Sequence, residues 1–155
     1  MRDMNLVEQL GAGLSGIETL RAMIAAGGRP PIGDTLDFTF TEVGDGWAVF
    51  EGTPGLHAYN PLGTVHGGYA AALLDSACGC AVHSKLDATQ IYTTLELKLS
   101  YLRPITTGTG LLRAEGRAIS VGRRAAFAEA GLKDAGGKLY ATATSTLLVM
   151  ERPKP

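Results

Sequence analysis

Hydrophobic residues from Gly68 to Ser84 cover every side of a helix, whereas the segments around this stretch alternate between hydrophobic and polar positions. A run without a period of two and without a β-branched stretch predicts one buried helix of about 17 residues, roughly 25 Å long. The alternating segments predict strands with one buried face. Because the strands outnumber the helices and do not alternate with them, we expect an α+β fold in which a mainly antiparallel sheet wraps around the central helix.

The predicted strands lie on both sides of this helix in the chain. Before the helix, TLDFTFTEV and GWAVFEGT are joined by Gly44-Asp45-Gly46 and predict a hairpin. After it come TTLELKLSYL, GLLRAEGRAIS, RAAFAEAGLKD and GKLYATATSTLLVM, with turns at 103–104, 121–122 and 135–137. In two of these strands the alternation predicts shared faces, formed by Leu36, Phe38 and Phe40 and by Leu95, Leu97, Leu99 and Tyr101.

The N-terminal segment predicts a peripheral helix. Ser15 and Glu18 match a capping box, hydrophobic residues follow at helical spacing, and GGRPP ends the helix. We therefore divide the chain into a helical extension, residues 1–32, and a single main domain, residues 33–152. The stretch from Gly11 to Gly16 fits a dinucleotide-binding fingerprint, with Asp37 at about the expected distance. We reject a dinucleotide site because no apolar strand precedes the glycines and no parallel βαβ units follow.

Composition excludes several classes of function. The chain has 155 residues, 45% of them hydrophobic and 19% charged, which is ordinary for a globular protein. A net charge of -1 without a block of like charges gives no footprint for nucleic acid or for an anionic membrane. No apolar run is long enough to span a bilayer. Cys78 and Cys80 suit a reducing compartment and are interpreted as small buried hydrophobes, so we expect a cytoplasmic protein.

One carboxylate interrupts the hydrophobic helix. Asp75 is the only Asp, Glu, Lys or Arg between Glu51 and Lys85. Because burial of an unpaired charge is costly, the residue suggests a general base or a nucleophile. The alternative is a structural aspartate that accepts hydrogen bonds from backbone donors.

The start of the helix is the second candidate feature. Free backbone N–H groups and the positive end of the helix dipole at Gly67 and Gly68 form a candidate oxyanion site. His66 either takes part in the chemistry or only orients the helix entrance. His57 and His83 are interpreted as bystanders, and no histidine and carboxylate have the spacing of metal ligands, so we expect no metal.

The segment NPLGTVHGGYAAALLDSA resembles the signature of the hotdog-fold acyl-CoA thioesterases of the phenylacetate-degradation (PaaI) type, within the 4-hydroxybenzoyl-CoA thioesterase-like superfamily. That signature has an Asn, a His-Gly-Gly six residues later and an acid nine residues after the His; Asn60, His66 and Asp75 match it. The resemblance extends through TTLELKLSYLRP, VGRRAAFAEAGLKD and GKLYATATSTLL, and thus covers the chain from about Thr35 to Leu148.

The resemblance implies an enzyme that hydrolyses an acyl- or aryl-CoA thioester. It implies that the Gly67 amide polarises the thioester carbonyl, that Asp75 acts as base or nucleophile, and that Asn60 positions water or the carboxylate. A Ser or Thr that opens the strand after the helix contributes in some members; Thr94 stands there, with Thr93 as the weaker alternative. No cofactor is implied beyond the coenzyme A of the substrate.

Two other functions stay open. A non-catalytic acyl-CoA-binding or sensing protein has no need of a buried carboxylate, which argues against it. An enoyl-CoA hydratase requires a second catalytic His or Asp, which the chain does not visibly carry. Arg103, Arg123 and Arg124 lie near strand ends and are candidates for binding the phosphates of coenzyme A, with ordinary solvated arginines as the alternative.

The spacing within the helix predicts a homodimer with shared active sites. Gly67 and Asp75 are eight residues apart, which separates their backbones by roughly 12 Å along the axis. One thioester carbon cannot easily reach both groups, unless two antiparallel helices place Asp75 of one chain opposite Gly67 and Asn60 of the other. The resemblance implies the same arrangement, with dimers that often pair into tetramers.

Overall fold

The computed structural model describes residues 9–10 and 13–153. The first eight residues, and Gly11 and Ala12 of the rejected fingerprint, lie outside them. The helices of the described part are α1 Gly16–Ala25, α2 Pro31–Leu36 and α3 Gly67–His83. The strands are β1 Phe38–Gly44, β2 Trp47–Gly52, β3 Gln90–Tyr101, β4 Leu112–Val121, β5 Ala125–Asp134 and β6 Leu139–Glu151.

The strands form one antiparallel sheet in the order β1-β2-β4-β5-β6-β3. Helix α3 packs against one face of this sheet and contacts every strand. This confirms the predicted α+β class and the hotdog arrangement of a sheet around a central helix. The order leaves β1 and β3 as edge strands, and the antiparallel pairing excludes the βαβ units that a dinucleotide fold requires.

Helix α3 forms as predicted, shifted by one residue from the expected 68–84. Its hydrophobic surface is buried on nearly all sides, with Leu73, Leu74 and Val82 fully enclosed. Small residues allow close contact with the sheet, since a side chain on Gly116 of β4 would overlap the carbonyl group of Ala77. No helix of residues 9–10 and 13–153 is both long and hydrophobic enough to cross a membrane.

The N-terminal helix α1 begins at the predicted capping box. The Ser15 hydroxyl accepts a hydrogen bond from the Glu18 amide, and the Glu18 carboxylate accepts one from the Ser15 amide. The helix lies at the periphery of the molecule, yet Leu20 is fully buried in the core around α3. Gly16 approaches the end of α3 so closely that a side chain there would overlap the His83 carbonyl. The extension therefore packs on the main domain.

Two local expectations about the strands are wrong in part. Leu36 does not belong to β1 but ends the short helix α2, which begins at Pro31, a residue well suited to the first helical position. Asp37 then adopts a left-handed conformation with φ 60° before the strand starts. In β3, Leu97 and Leu99 pack against the core as expected, whereas Leu95 lies at a β-bulge and is 62% exposed.

Candidate active site

The Asp75 carboxylate lies in the middle of α3, partly buried and facing β3. Thr94 Oγ1 donates a hydrogen bond of 2.9 Å to Asp75 Oδ1. Among the described residues, no backbone N–H and no basic side chain binds this carboxylate. The structural alternative, an aspartate satisfied by backbone donors, is therefore not what the structure contains.

A β-bulge in β3 brings Thr94 to this position. Strand side chains alternate between two faces, so Thr94 and Leu97, three residues apart, would normally face opposite sides. The register between β3 and β6 shifts between Thr94 and Glu96. Thr94 therefore reaches Asp75 while Leu97 still packs against the core, and Thr93 is exposed. Bulges are frequent beside active sites because they redirect a side chain in this way.

The start of α3 offers one free backbone donor. His66 caps the helix, and its Nδ1 accepts a hydrogen bond of 2.8 Å from the Gly68 amide. The Gly67 amide has no acceptor among the described residues. Tyr101, at the end of β3, donates a hydrogen bond of 2.8 Å to the Gly67 carbonyl and thus holds the Gly67–Gly68 peptide, which directly follows the free amide. The sequence pattern identified Tyr101 only as a hydrophobic face residue, because its contact partner is on another element.

Asn60 closes the loop that leads into α3. Its Oδ1 accepts hydrogen bonds from the amides of Leu62 and Thr64, at 2.9 and 3.3 Å, and its Nδ2 donates to Thr64 Oγ1 at 2.9 Å. One N–H of the side-chain amide remains for another partner. The structure does not bring Asn60 into contact with Asp75. The role of Asn60 in positioning water or the carboxylate therefore stays a prediction.

The candidate residues form two separate groups in one chain. The helix-start cluster consists of Asn60, His66 and Gly67, and the mid-helix cluster consists of Asp75 and Thr94. Both clusters are fixed to α3, and the eight residues from Gly67 to Asp75 span about 12 Å of helix axis. A hydrogen-bond donor and a carboxylate with this backbone separation do not easily act on one carbonyl group within a single chain.

The three candidate arginines divide between the two clusters. Arg103 lines a cavity of about 390 Å³ beside Gly67, and its Nη1 donates to the Leu139 carbonyl at 2.7 Å. Arg123 and Arg124 are exposed in the turn between β4 and β5. The Arg124 carbonyl accepts a hydrogen bond from the Val149 amide of β6. Val149 pairs with Tyr92 of β3, which is two residues from Thr94. The turn therefore lies toward the mid-helix cluster.

Three of the other nucleophile or base side chains, Cys78, Cys80 and His83, are unsuited to chemistry at neutral pH. Burial, and secondarily the charge of Asp75, raises the pKa of the thiols of Cys78 and Cys80 to about 12, so both stay protonated. Burial lowers the pKa of His83 to about 4 and keeps it neutral. His57 is exposed on a short turn before α3. None of these four residues takes a place in either cluster.

Comparison with known proteins gives one family and a consistent fold. The family model of the Thioesterase superfamily matches residues 62–141, which include every candidate except Asn60. A Halobacterium salinarum protein with a provisional esterase name is 42% identical over 69 residues, which are 43% of this chain and 44% of that relative. The matched segment thus spans less than half the length of the relative.

Solved structures support the fold. A thioesterase family protein from Silicibacter pomeroyi superposes with a TM-score of 0.78 at 23% identity, over 89% of this chain and 100% of that one. The PaaI protein from the phenylacetic acid degradation operon of E. coli superposes with a TM-score of 0.72 at 19% identity, over 82% of this chain and 89% of that one. At such identities the likeness establishes the architecture that positions both clusters.

Proposed function

Because this chain belongs to the thioesterase superfamily, we propose that it hydrolyses an acyl- or aryl-CoA thioester to the free acid and coenzyme A. The observation that carries the proposal is the Asp75 carboxylate on a hydrophobic helix, with the Thr94 hydroxyl as its partner. A carboxylate held in this way serves little structural purpose, because burying a charge is costly. It is well suited to attack on an acyl carbon or to activation of water.

The two clusters supply the two parts that thioester hydrolysis requires. The acyl carbon needs a base or a nucleophile on one side, and the carbonyl oxygen needs hydrogen-bond donors that stabilise its developing negative charge. Asp75 supplies the first part. The Gly67 amide, aided by the positive end of the α3 dipole, supplies the second. Tyr101 and the His66 cap both bind the adjacent Gly67–Gly68 peptide, which fixes the first turn of the helix next to this amide.

Asp75 acts by one of two routes. As a general base it takes a proton from water, the hydroxide oxygen attacks the acyl carbon, the C–S bond breaks and the thiolate takes up a proton. As a nucleophile its carboxylate attacks the acyl carbon and expels the thiolate, and water then hydrolyses the resulting anhydride. Single turnover in H₂¹⁸O, with the enzyme in excess, tests the nucleophilic route. Label in Asp75 together with an unlabelled free acid shows that water hydrolysed an anhydride at the Asp75 carbonyl, whereas label in the free acid alone shows that water attacked the acyl carbon, as the base route requires.

A homodimer completes the site. We place the helix-start cluster of one chain opposite the mid-helix cluster of its partner, which removes the separation of about 12 Å within a chain. Strand β3 supports this arrangement, because it is a 12-residue edge strand without a neighbour on its outer side among the described residues. Such a long edge favours pairing with another strand. The solvent exposure of Leu95 on this strand is consistent with burial against a second copy.

The same pairing brings the candidate arginines together. Arg103 accompanies the helix-start cluster of one chain, while Arg123 and Arg124 accompany the mid-helix cluster of the other. Their guanidinium groups then flank one site from two chains, as binding of the phosphates of coenzyme A requires. Two such dimers pair into a tetramer in our proposal, by analogy with the resembled family.

Turnover of a panel of aryl, short-chain and long-chain CoA esters tests the proposed function. We expect hydrolysis of at least one class, and we expect Asp75→Asn to lower kcat by about two to four orders of magnitude while substrate affinity is kept. Tight binding of CoA esters without turnover would support a sensor instead. Addition of water to an enoyl-CoA would support a hydratase.

A further inference from the structure

The first four N–H groups of a helix have no acceptor within it, and in α3 three of the four find one nearby. The His66 amide donates to the Ala58 carbonyl at 2.7 Å, and the Tyr69 amide donates to the His66 carbonyl at 2.9 Å. The Gly68 amide donates to His66 Nδ1 at 2.8 Å. Among the described residues only the Gly67 amide is left without an acceptor. The start of the helix therefore offers a single backbone donor.

The cap fixes which nitrogen of the His66 ring carries the proton. In a neutral imidazole one nitrogen is a donor and the other an acceptor, and the hydrogen bond made by one nitrogen sets the tautomer. Because Nδ1 accepts from the Gly68 amide, the proton lies on Nε2. The Nε2–H group has no acceptor within residues 9–10 and 13–153. The ring thus offers a free donor and has no free lone pair with which to act as a base.

Tyr101 supports the same tautomer through the peptide between Gly67 and Gly68. Its hydroxyl donates to the carbonyl of this peptide, and the N–H of the same peptide donates to His66 Nδ1. Hydrogen bonds in such a chain polarise one another, so the Tyr101 hydroxyl makes the Gly68 N–H a stronger donor to Nδ1. The absence of a side chain on Gly67 permits this contact, since a Cβ there would lie 2.9 Å from the Tyr101 hydroxyl oxygen.

His66 and Gly67 line the same cavity, the one of about 390 Å³ that Arg103 also lines. Most of the other walls are hydrophobic, and they include Val65, Leu102, Pro104 and Ile105. A group that is bound in this cavity therefore lies beside both residues. Hydrophobic walls exclude water and so make a hydrogen bond from the protein more effective.

We propose that the Nε2–H group of His66 is a second donor of the oxyanion site, beside the Gly67 amide. Tyr101 is then a positioning residue that acts through the Gly67–Gly68 peptide. The inference rests on the proposed function. Attack on the acyl carbon turns the carbonyl oxygen into an oxyanion, which accepts hydrogen bonds from both N–H groups while both protons stay on nitrogen. His66 Nδ1 caps the helix, and Nε2 binds the substrate.

Two substitutions separate the cap from the donor. His66→Asn keeps an acceptor near the position of Nδ1, and Asn is a preferred N-cap residue, but the donor at Nε2 is lost. His66→Gln has a longer side chain whose amide N–H reaches the position of Nε2. On the best CoA ester we expect kcat to fall about 10²- to 10³-fold in His66→Asn with little change in Tm, as for the loss of one oxyanion donor.

The Gln variant and a control variant complete this test. We expect kcat to be at least about tenfold higher in His66→Gln than in His66→Asn, because only Gln restores a donor. His57→Asn is the matched control and should keep kcat, since His57 is exposed on the short turn before α3. Wild-type kcat in His66→Asn would overturn the inference. A kcat in His66→Gln that is no higher than in His66→Asn would overturn it as well.

NMR of ¹⁵N-histidine-labelled wild type tests the tautomer without turnover. The His66 resonances, identified by their loss in His66→Asn, should show the proton on Nε2, and a proton on Nδ1 would overturn the inference. Tyr101→Phe keeps the ring and should shift the Nδ1 resonance and lower kcat about two- to tenfold, as for one hydrogen bond. An unchanged resonance would exclude Tyr101 from the chain. If the wild type hydrolyses no thioester at all, the proposed function itself fails, whereas equal activity of wild type and His66→Asn refutes this inference alone.

Discussion

Replacement of Thr94 by Val tests whether the hydroxyl that faces Asp75 matters for turnover. The substitution keeps the β-branched shape that suits β3 but removes the donor to Asp75 Oδ1. Any loss of activity can then be assigned to one hydrogen bond of 2.9 Å.

The expected effect follows from the kind of bond that is lost. Hydrogen bonds to charged groups contribute about 1.5–3 kcal/mol, and about 1.4 kcal/mol corresponds to a tenfold change in rate. Thr94 is only partly buried, so a water molecule can replace part of the interaction, which favours the lower end of the range. We expect kcat to fall about 10- to 100-fold and KM to change less than about threefold, because the bond orients the reacting group.

Steady-state kinetics on the best CoA ester, with Thr94→Ser as the matched variant, decides the question. Serine keeps the hydroxyl and should recover most of kcat, which a merely structural role for the threonine would not produce. Wild-type kcat in Thr94→Val, or equal losses in the Val and Ser variants, would show that the hydrogen bond does not position Asp75 for the reaction.

Three further predictions concern stability and coenzyme A. The folded-state pKa of His83, about 4 against an ordinary 6.5, means that the unfolded chain binds its proton more readily between these values. The contribution of neutral His83 to the free energy of unfolding is then complete above about pH 6.5 and falls by about 2 kcal/mol by pH 5. Urea unfolding of the wild type and of His83→Gln, each at pH 7 and pH 5, measures this change. We expect the larger pH effect in the wild type. Gly116→Ala should destabilise the protein by at least about 1–3 kcal/mol because its Cβ would overlap the Ala77 carbonyl, and an unchanged Tm would contradict the described packing of α3 on β4. Arg123→Ala or Arg124→Ala should raise KM for a CoA ester but not for its N-acetylcysteamine analogue, whereas equal effects on both substrates would indicate a structural role.

The elements that are predicted correctly are those whose signal is local in the chain. Helix α3 follows from a continuous hydrophobic run, and the start of α1 follows from the Ser15 and Glu18 pair, whose contacts lie within one helical turn. The spacing of Asn60, His66 and Asp75 matches the signature of the resembled family, and the catalytic roles of these residues stay predictions. Their assignment to two clusters about 12 Å apart also follows from helix geometry alone.

The features that sequence does not predict depend on contacts between distant parts of the chain. The bulge at Leu95 is a property of the register between β3 and β6, which alternation within one strand cannot encode. The contact of Tyr101 with Gly67 likewise arises from the packing of separate elements. Alternation assigns Leu36 to a strand because two Phe residues follow it at strand spacing, although Pro31 starts a helix five residues earlier.

Mixing of two inactive chains tests the shared site most directly. Asp75→Asn removes the carboxylate of the mid-helix cluster, and Asn60→Ala alters the helix-start cluster. In a mixed dimer with shared sites, one site carries both changes and the other carries neither. Random pairing makes half of the dimers mixed, each with one intact site, so co-folding should recover about a quarter of wild-type activity. If native mass spectrometry shows mixed dimers but no activity returns, each site lies within a single chain, and the proposed pairing of the two clusters across a dimer is wrong.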